Sequence, residues 1–201
     1  MQTYIIGIDE VGRGPIAGPL VVCACALEVG TEVLSLFPKG ELRDSKKLSE
    51  KVRMSIVESI QPFVESGQII FGLGEVSAEE IDSNGLSVAI KEALLSALRK
   101  VHAKGVAKDS FIFLDGSLHA PNEYQQETII KGDEKIPVIA LASIIAKVYR
   151  DTLMKKVADV YPGYGFESHV GYGTKAHYEA IKQLGLTVLH RRSFLKNFTS
   201  I

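Results

Sequence analysis

The sequence predicts an α/β domain with a mixed central sheet flanked by helices. Three strand-like patterns come first, at residues 3–9, 18–27 and 68–76. Helical patterns then alternate with two short apolar strands, "SFIFLD" and "ETIIKGD". The 201 residues, of which 46% are hydrophobic and 23% charged, suit one globular domain with a sizeable core.

Helical periodicity predicts three longer helices. Apolar residues recur at helical spacing over 48–67, between Ser49, a candidate N-cap, and Gly67, a candidate stop. A second helix is predicted over 86–104, and Pro137 begins a third that runs to about Val160. Residues 161–201 are irregular apart from a short helix near 174–184. We therefore expect a main domain over 1–160, with 161–201 as an extension of it.

Charge is distributed unevenly along the chain. The formal net charge is −1, so no overall field favours nucleic acid. Residues 1–130 carry 12 Lys and Arg against 18 Asp and Glu, whereas residues 131–201 carry 11 against 6. An acidic centre beside a basic flank suits metal ions and a polyanion, and chance scatter of surface charge is the alternative.

Cysteine usage and the absence of targeting signals predict a cytoplasmic protein. Cys23 and Cys25 lie two apart in a predicted strand and point to one face, which does not suit a disulfide. We expect them to be small buried residues in a reducing compartment. No basic segment with a cleavage site opens the sequence, and no apolar run approaches a membrane span, so we expect no membrane contact.

Carboxylates end three of the predicted strands. Asp9 and Glu10 end the first, in "YIIGIDEVGRGPIAGPLVV", while Asp115 ends "FIFLDG" and Asp133 ends "IIKGDE". Four carboxylates at one sheet edge would repel one another, and divalent cations between them remove that repulsion. Oxygen-only ligation suits Mg²⁺ or Mn²⁺, which in pairs activate water for phosphoryl transfer. For any single acid, a turn or helix cap is the alternative.

The glycine-rich segment "GRGPIAGP" follows the first two acids. A dinucleotide-binding turn needs Gly-x-Gly-x-x-Gly before a helix, but here Gly12, Gly14 and Gly18 precede a strand. Bare backbone permits close approach to a ligand, and Arg13 offers a phosphate a positive fork. Loop amides can read a 2′-hydroxyl, the group that separates RNA from DNA. A tight hairpin turn is the alternative for the glycines alone.

Five motifs occur together: "GIDEVGRGPIAGP", "RDSKKLS", "FLDG", "IIKGDEKIPVIALASIIAKVYRD" and "YPGYGFESHVGYGTKAHYEAI". In this order they resemble bacterial ribonuclease HII, the type 2 ribonucleases H, from residue 5 to about 194. The resemblance implies a ribonuclease H-like fold with a C-terminal helical extension that contacts substrate. It implies an endonuclease, dependent on Mn²⁺ or Mg²⁺, that hydrolyses the RNA strand of RNA–DNA hybrids. It also implies cleavage at single ribonucleotides in duplex DNA, leaving 3′-hydroxyl and 5′-phosphate ends.

The resemblance assigns roles to individual residues. The family's catalytic carboxylates, which hold two ions when substrate is bound, correspond to Asp9, Glu10, Asp115 and Asp133. Its loop at the ribonucleotide corresponds to Gly12, Arg13 and Gly14. Tyr172 matches the tyrosine that stacks beside the junction's deoxyribose. Spacing alone does not distinguish Tyr172 from Tyr164, so this assignment rests on the resemblance.

Basic residues near these motifs are candidates for phosphate contacts. Lys46 precedes a predicted helix in "DSKKLSEK", while Arg191 and Arg192 lie in the cluster "HRRSF". A solvated helix entry and a solvated tail are the alternatives. Lys147 and Asp151, one helical turn apart, fit an ion pair.

The remaining expectations concern partners and competing functions. Ser117 stands where family members often have asparagine, and the tail "RRSFLKNFTSI" shows no obvious sliding-clamp-binding motif, which leaves that partner without support. The expected partners are RNA–DNA hybrid and ribonucleotide-containing duplex DNA, bound by a monomer. A nucleotide-binding oxidoreductase and a binding module without catalysis are the competing hypotheses. The glycine spacing opposes the first, and the presence of all four acids opposes the second.

Overall fold

The computed structural model describes residues 3–38 and 47–196, and within them five strands form one sheet in the order β3-β2-β1-β4-β5. The pairs β1–β2 and β2–β3 are antiparallel, whereas β1–β4 and β4–β5 are parallel. The predicted mixed sheet is therefore confirmed. The strands are β1 Tyr4–Val11, β2 Leu20–Glu28, β3 Ile69–Val76, β4 Phe111–Asp115 and β5 Gln126–Ile129.

Helices cover both faces of the sheet. The helix α4 packs on β2 and β3, and α5 packs on β1 and β2. No helix in the described parts of the chain is both long and apolar enough to cross a membrane. The helices are α1 Glu50–Ser59, α2 Gln61–Glu65, α3 Ala78–Asn84, α4 Leu86–His102, α5 Pro137–Val160, α6 Phe166–His169 and α7 Lys175–Leu184.

Strand β2 divides the two main cores, because alternate side chains point to opposite faces of a strand. Leu20 and Val22 pack with the buried alanines and leucines of α4. Cys23 and Cys25 pack with the apolar face of α5, and both thiols are buried and unbonded, as the sequence predicts. At Gly7 on β1 the backbone of α5 fills the space that a Cβ would need, so the start of α5 lies directly against β1.

A third core joins the C-terminal residues to the glycine loop. Ile16 and Ala17 from the loop pack with Met154 of α5 and with residues of α6 and α7. Backbone hydrogen bonds reinforce the contact: Gly18 N–H donates to the Leu189 carbonyl, and Arg191 N–H donates to the Ile16 carbonyl, each over 2.8 Å. The residues after 160 therefore support the loop that follows β1.

Two predicted elements differ from the structure. The single helix predicted over 48–67 is two helices, α1 and α2, which meet at Ile60. Pro62 explains the break, because proline has no N–H for the helical ladder and is tolerated only in a first turn. The helix α3 was not predicted, although Ser77 and Glu80 form the capping box that begins it.

Candidate active site

The sheet brings three of the predicted acids to adjacent strand ends. Asp9 and Glu10 lie near the end of β1, and Asp115 is the last residue of the parallel neighbour β4. Ile8 pairs with Leu114, so Asp9 and Asp115 are the next residues along the two strands. The convergence that the sequence predicts is therefore present for these three carboxylates.

These carboxylates lie close enough to perturb one another. Burial raises the pKa of Asp9 well above its usual value, and the charges of Glu10 and Asp115 raise it further. Burial also raises the pKa of Glu10, which Arg13 opposes and Asp115 reinforces. Ser143 on α5 donates a hydrogen bond to the Asp9 carboxylate, as does the Glu10 N–H over 2.7 Å.

Asp133 approaches the same edge through a turn, so the prediction that it ends a strand is wrong. β5 ends at Ile129, and Lys131 takes a left-handed conformation with φ 55° before the 3₁₀ turn Gly132–Glu134. The Gly132 N–H donates to Asp115 Oδ1 over 2.6 Å, so Asp133 follows a residue bonded to that carboxylate. Asp133 itself is 8% exposed.

The donor set fits a hard divalent cation. Within the described residues, no three or more Asp, Glu, His or Cys side chains are closed around a common metal position. The edge nevertheless offers several carboxylate oxygens, which suit Mg²⁺ or Mn²⁺ better than softer metals. Burial raises the pKa of Asp9 and Glu10, nearby carboxylate charges raise it further, and a bound cation would favour the ionised forms.

Arg13 connects the glycine loop to the carboxylates. Its Nη1 donates to Glu10 Oε1 over 3.0 Å and lies 3.4 Å from the Ser117 hydroxyl. Gly12, at φ +92°, is buried, and a Cβ there would lie 2.5 Å from Arg150 Nε. Glycine is therefore required at position 12 by both the backbone and the side chain beneath it.

Tyr172 lies on the other side of the loop. A Cβ placed on the exposed Gly14 would lie 3.8 Å from the Tyr172 ring, so the structure brings these two predicted residues together. Tyr172 is 41% exposed, whereas Tyr164 is only 6% exposed. Lys147 Nζ lies 6.0 Å from the Tyr172 ring centroid and bonds Asp151 over 2.9 Å, so the predicted ion pair is confirmed.

Arg191 has a different place from the one that the sequence predicted. Its side chain is 0% exposed, and Nε and Nη2 donate to the Gly18 carbonyl over 3.1 and 2.8 Å. Nη1 donates to the Arg13 carbonyl over 3.2 Å. Burial lowers the pKa of Arg191 to about 10, so it remains protonated at neutral pH. The predicted phosphate contact of Arg191 is therefore wrong, because the loop encloses its guanidinium.

Arg150 on α5 is a second buried cation, and local sequence patterns do not indicate its role. It donates from Nε to the Pro19 carbonyl over 2.8 Å and from Nη2 to the Ala17 carbonyl over 3.1 Å. Its Nη1 donates to the Val170 carbonyl over 2.8 Å. Arg150 therefore ties the glycine loop to the segment that carries Tyr172.

Buried histidines join Tyr172 to the C-terminal segment. His190 Nδ1 accepts from the Thr187 N–H over 2.9 Å, so its Nε2–H donates to His177 Nε2 over 3.1 Å. His177 Nδ1–H then donates to the Tyr172 carbonyl over 2.9 Å. Burial lowers the pKa of both rings to about 4, which keeps them neutral.

The other basic candidates lie apart from this core. Arg192 is exposed, and its backbone N–H donates to Asp82 Oδ2 over 2.6 Å. Lys46 lies outside the described residues. Its neighbour Lys47 is exposed, with Nζ 4.0 Å from Glu134 Oε1. The phosphate contacts of Lys46 and Arg192 stay predictions.

Solved structures share this fold. Ribonuclease H2 from Pyrococcus horikoshii OT3 superposes with a TM-score of 0.74 at 22% identity, over 98% of this chain and 99% of that chain. A PCNA:RNase HII complex from Archaeoglobus fulgidus gives 0.70 at 24% identity, over 96% and 94%. Bst-RNase HIII in complex with Mn²⁺ gives 0.65 at 17% identity, over 94% and 66%. The fold is therefore the ribonuclease H-like fold.

Sequence comparison assigns the family. A curated ribonuclease HII from Chlamydia muridarum (strain MoPn / Nigg) is 45% identical over 190 residues, which cover 94% of this chain and 81% of that protein. The family model for ribonuclease HII matches residues 6–197, nearly the whole chain and all of the site described above. The chain therefore belongs to the ribonuclease HII family.

Proposed function

We propose that this chain, an endoribonuclease with ribonuclease H activity on RNA–DNA hybrids by its family, also cleaves at single ribonucleotides embedded in duplex DNA. The observation that carries the proposal is the position of the loop 12–14. On one side of the loop is the carboxylate edge, formed by Asp9, Glu10, Asp115 and Asp133, which Arg13 contacts through Glu10. On the other side is the exposed ring of Tyr172. One loop thereby joins sugar recognition to the reacting phosphate.

The carboxylates are the proposed metal ligands. Asp9, Glu10, Asp115 and Asp133 would hold Mg²⁺ or Mn²⁺, with two ions when substrate is bound, and the Mn²⁺ complex of Bst-RNase HIII supports this metal class. Bound cations supply an activated water and charge stabilisation for phosphodiester hydrolysis. Arg13 holds the Glu10 carboxylate in place, and Ser143 holds that of Asp9.

The loop and Tyr172 are the proposed substrate contacts. The loop backbone at Gly12, Arg13 and Gly14 would accept the ribose, and the Tyr172 ring would accept the neighbouring deoxyribose. Water oxygen forms the new bond to phosphorus while the bond to O3′ breaks, which leaves a 3′-hydroxyl and a 5′-phosphate. Arg192, whose side chain is exposed, and Lys46 are proposed to contact duplex phosphates.

The division of the chain, its cellular compartment and its oligomeric state are further parts of the proposal. We assign residues 1–160 to catalysis and 161–201 to an extension that supports substrate contact, and the third core between that extension and the loop favours this division. The unpaired thiols of Cys23 and Cys25 favour the cytoplasm, and we propose a monomer.

A labelled-duplex assay tests the proposed function. Three duplexes of one sequence are compared: an RNA–DNA hybrid, a DNA duplex with one ribonucleotide, and all-DNA. We expect the first two to be cut with Mn²⁺ or Mg²⁺ and left intact with EDTA, and the all-DNA control to remain whole. Ligase sealing of the downstream product would identify its 5′-phosphate. An intact single-ribonucleotide duplex beside a cleaved hybrid would contradict the finer proposal.

A further inference from the structure

We propose that Arg191 is a positioning residue that aims the Gly14 N–H at the substrate sugar. The inference rests on the proposed role of the loop 12–14 and adds to it a residue that touches no substrate. Arg191 would act by holding one peptide unit, Arg13–Gly14, in a fixed orientation. Three features of the structure carry this inference.

The first feature is the geometry of the Arg13–Gly14 peptide. In a planar trans peptide the C=O and the following N–H point in opposite directions. The Arg13 carbonyl points inward, because it accepts from Nη1 of the fully buried Arg191 over 3.2 Å. The Gly14 N–H must therefore point away from Arg191, toward the exposed side of the loop. Within the described residues this N–H has no hydrogen-bond acceptor.

The second feature is the chemistry around the Arg191 guanidinium. A buried cation carries a large desolvation cost, and proteins usually offset it with a carboxylate partner. Here the hydrogen bonds go to the neutral carbonyls of Gly18 and Arg13, while the Asp82 carboxylate favours the charged guanidinium through its charge. Five N–H groups in a rigid plane can fix two carbonyls at once, which a lysine ammonium on a flexible stem does less well.

The third feature is that Arg191 belongs to a rigid frame shared with Tyr172. Its N–H donates to the Ile16 carbonyl over 2.8 Å, and the N–H groups of Ile16 and Ala17 donate to the Gly171 carbonyl over 3.0 and 3.1 Å. The same frame therefore sets the Gly14 N–H and the Tyr172 ring relative to each other. An arginine outside the catalytic edge thus fixes the distance between the two proposed sugar contacts.

Binding to two duplexes that differ by one 2′-hydroxyl tests the role of Arg191. All proteins carry Asp9→Asn so that the substrate stays uncut in Mg²⁺, and Kd is measured by fluorescence anisotropy. We expect Arg191→Met to lower the ratio of the deoxy Kd to the ribo Kd by roughly 3- to 10-fold, the value of one hydrogen bond. Arg191→Lys keeps the positive charge and is therefore the more conservative change for folding. We expect it to lower the Kd ratio as well.

A matched control separates positioning from loss of stability. Arg53 is also buried, but it donates to the Leu48 carbonyl and pairs with Asp151. We expect Arg53→Met to lower the urea midpoint without changing the Kd ratio. In ¹H–¹⁵N spectra, ribonucleotide-containing duplex should shift the Gly14 amide in the parent protein but much less in Arg191→Lys.

The outcomes distinguish this inference from the proposed function. A folded Arg191→Lys protein with the parent's Kd ratio and the parent's Gly14 shift would overturn the positioning role alone. A parent protein that binds both duplexes equally would overturn the positioning role together with 2′-hydroxyl reading by the loop. Metal-dependent cleavage of the hybrid by the wild-type protein would still stand in either case.

Discussion

The carboxylate edge, formed by Asp9, Glu10, Asp115 and Asp133, and the arginine pair, Arg150 and Arg191, both bury charge beside the same loop. In the carboxylate edge, burial raises the pKa of Asp9 and Glu10, and neighbouring carboxylate charges raise it further. In the arginine pair, the guanidinium groups donate to the carbonyls of the loop 13–19 and of Val170.

If the carboxylate edge binds metal ions as proposed, the difference separates a reacting region from a supporting one. Oxygen ligands that repel one another are poised to accept cations, since binding removes the repulsion. Guanidinium groups that donate their hydrogen bonds to backbone carbonyls instead rigidify the loop that carries those carbonyls.

Asp9→Asn removes one charge from the carboxylate edge. We expect kcat/KM on hybrid to fall by roughly 10³-fold or more, because metal stabilisation of the reaction is worth several kcal/mol. Without metal at pH 7, the free energy of unfolding should rise, since a carboxyl with a raised folded pKa loses stability when it ionises. Cleavage rates and urea denaturation in EDTA measure the two effects. The exposed Asp159→Asn is the control, and a wild-type rate for Asp9→Asn would contradict the site.

Gly14→Val crowds the space between the loop and Tyr172. The backbone at Gly14 needs no positive φ, and an added Cβ makes ordinary contact with the Tyr172 ring at 3.8 Å, so the fold should persist. We expect kcat/KM at a single ribonucleotide to drop roughly 10- to 100-fold because branching blocks the sugar. Gly14→Ala should lose less. Equal kinetics for glycine and valine at this position would contradict close approach of the ribose.

The histidine pair, His177 and His190, should make stability fall in acid. Both pKa values are lowered to about 4 in the fold, so the unfolded chain binds more protons between pH 6.5 and 4. The free energy of unfolding should therefore drop as pH falls through this window, by about 1.4 kcal/mol per pH unit for each ring. We expect His177→Asn to lose one ring's share of this slope in urea titrations, and exposed His119→Gln to keep it. Identical slopes for His177→Asn and wild type would contradict the burial of neutral rings.

Arg192→Ala tests the remaining cationic candidate of the "HRRSF" cluster. If its exposed side chain contacts a phosphate, the slope of log K against log salt should become shallower by roughly 0.9. The effect should be the same for any duplex sequence, since phosphate contacts carry no base information. Anisotropy titrations from low to moderate salt measure it. An unchanged slope would show that Arg192 is a solvated surface residue that contacts no phosphate.

Much of the fold could be predicted because its patterns are local. Alternating and apolar runs indicated β1, β2 and β4, and Pro137 marked the start of α5. The carboxylates at 9, 10 and 115 were predicted from the same patterns, since each follows an apolar strand. Asp133 was found by its motif, but its turn was missed because a left-handed Lys131 has no clear sequence signal.

Residues whose roles depend on distant contacts could not be predicted. The letters "HRR" indicate an exposed basic cluster, yet Arg191 is enclosed by a loop more than 170 residues earlier in the chain, at Arg13 and Gly18. Ser143 gave no signal either, and Ser117 was notable only as a departure from the family's asparagine, because one serine is not distinguishable from another until the fold places it beside Asp9 or Arg13. Burial and partner identity are tertiary properties, so local patterns do not carry them.

Three substrates in the same duplex test most directly whether the loop 12–14 reads the sugar. They are a single ribonucleotide, the same nucleotide without its 2′-hydroxyl, and the same nucleotide with a 2′-O-methyl group. We expect metal-dependent cleavage at the ribonucleotide. For the other two substrates we expect kcat/KM to fall by up to ~10⁴-fold, because a site that hydrogen-bonds a substrate hydroxyl rejects analogues in which that hydroxyl is missing or blocked. Comparable cleavage of all three would contradict the claim that the loop 12–14 reads the sugar beside the carboxylate edge.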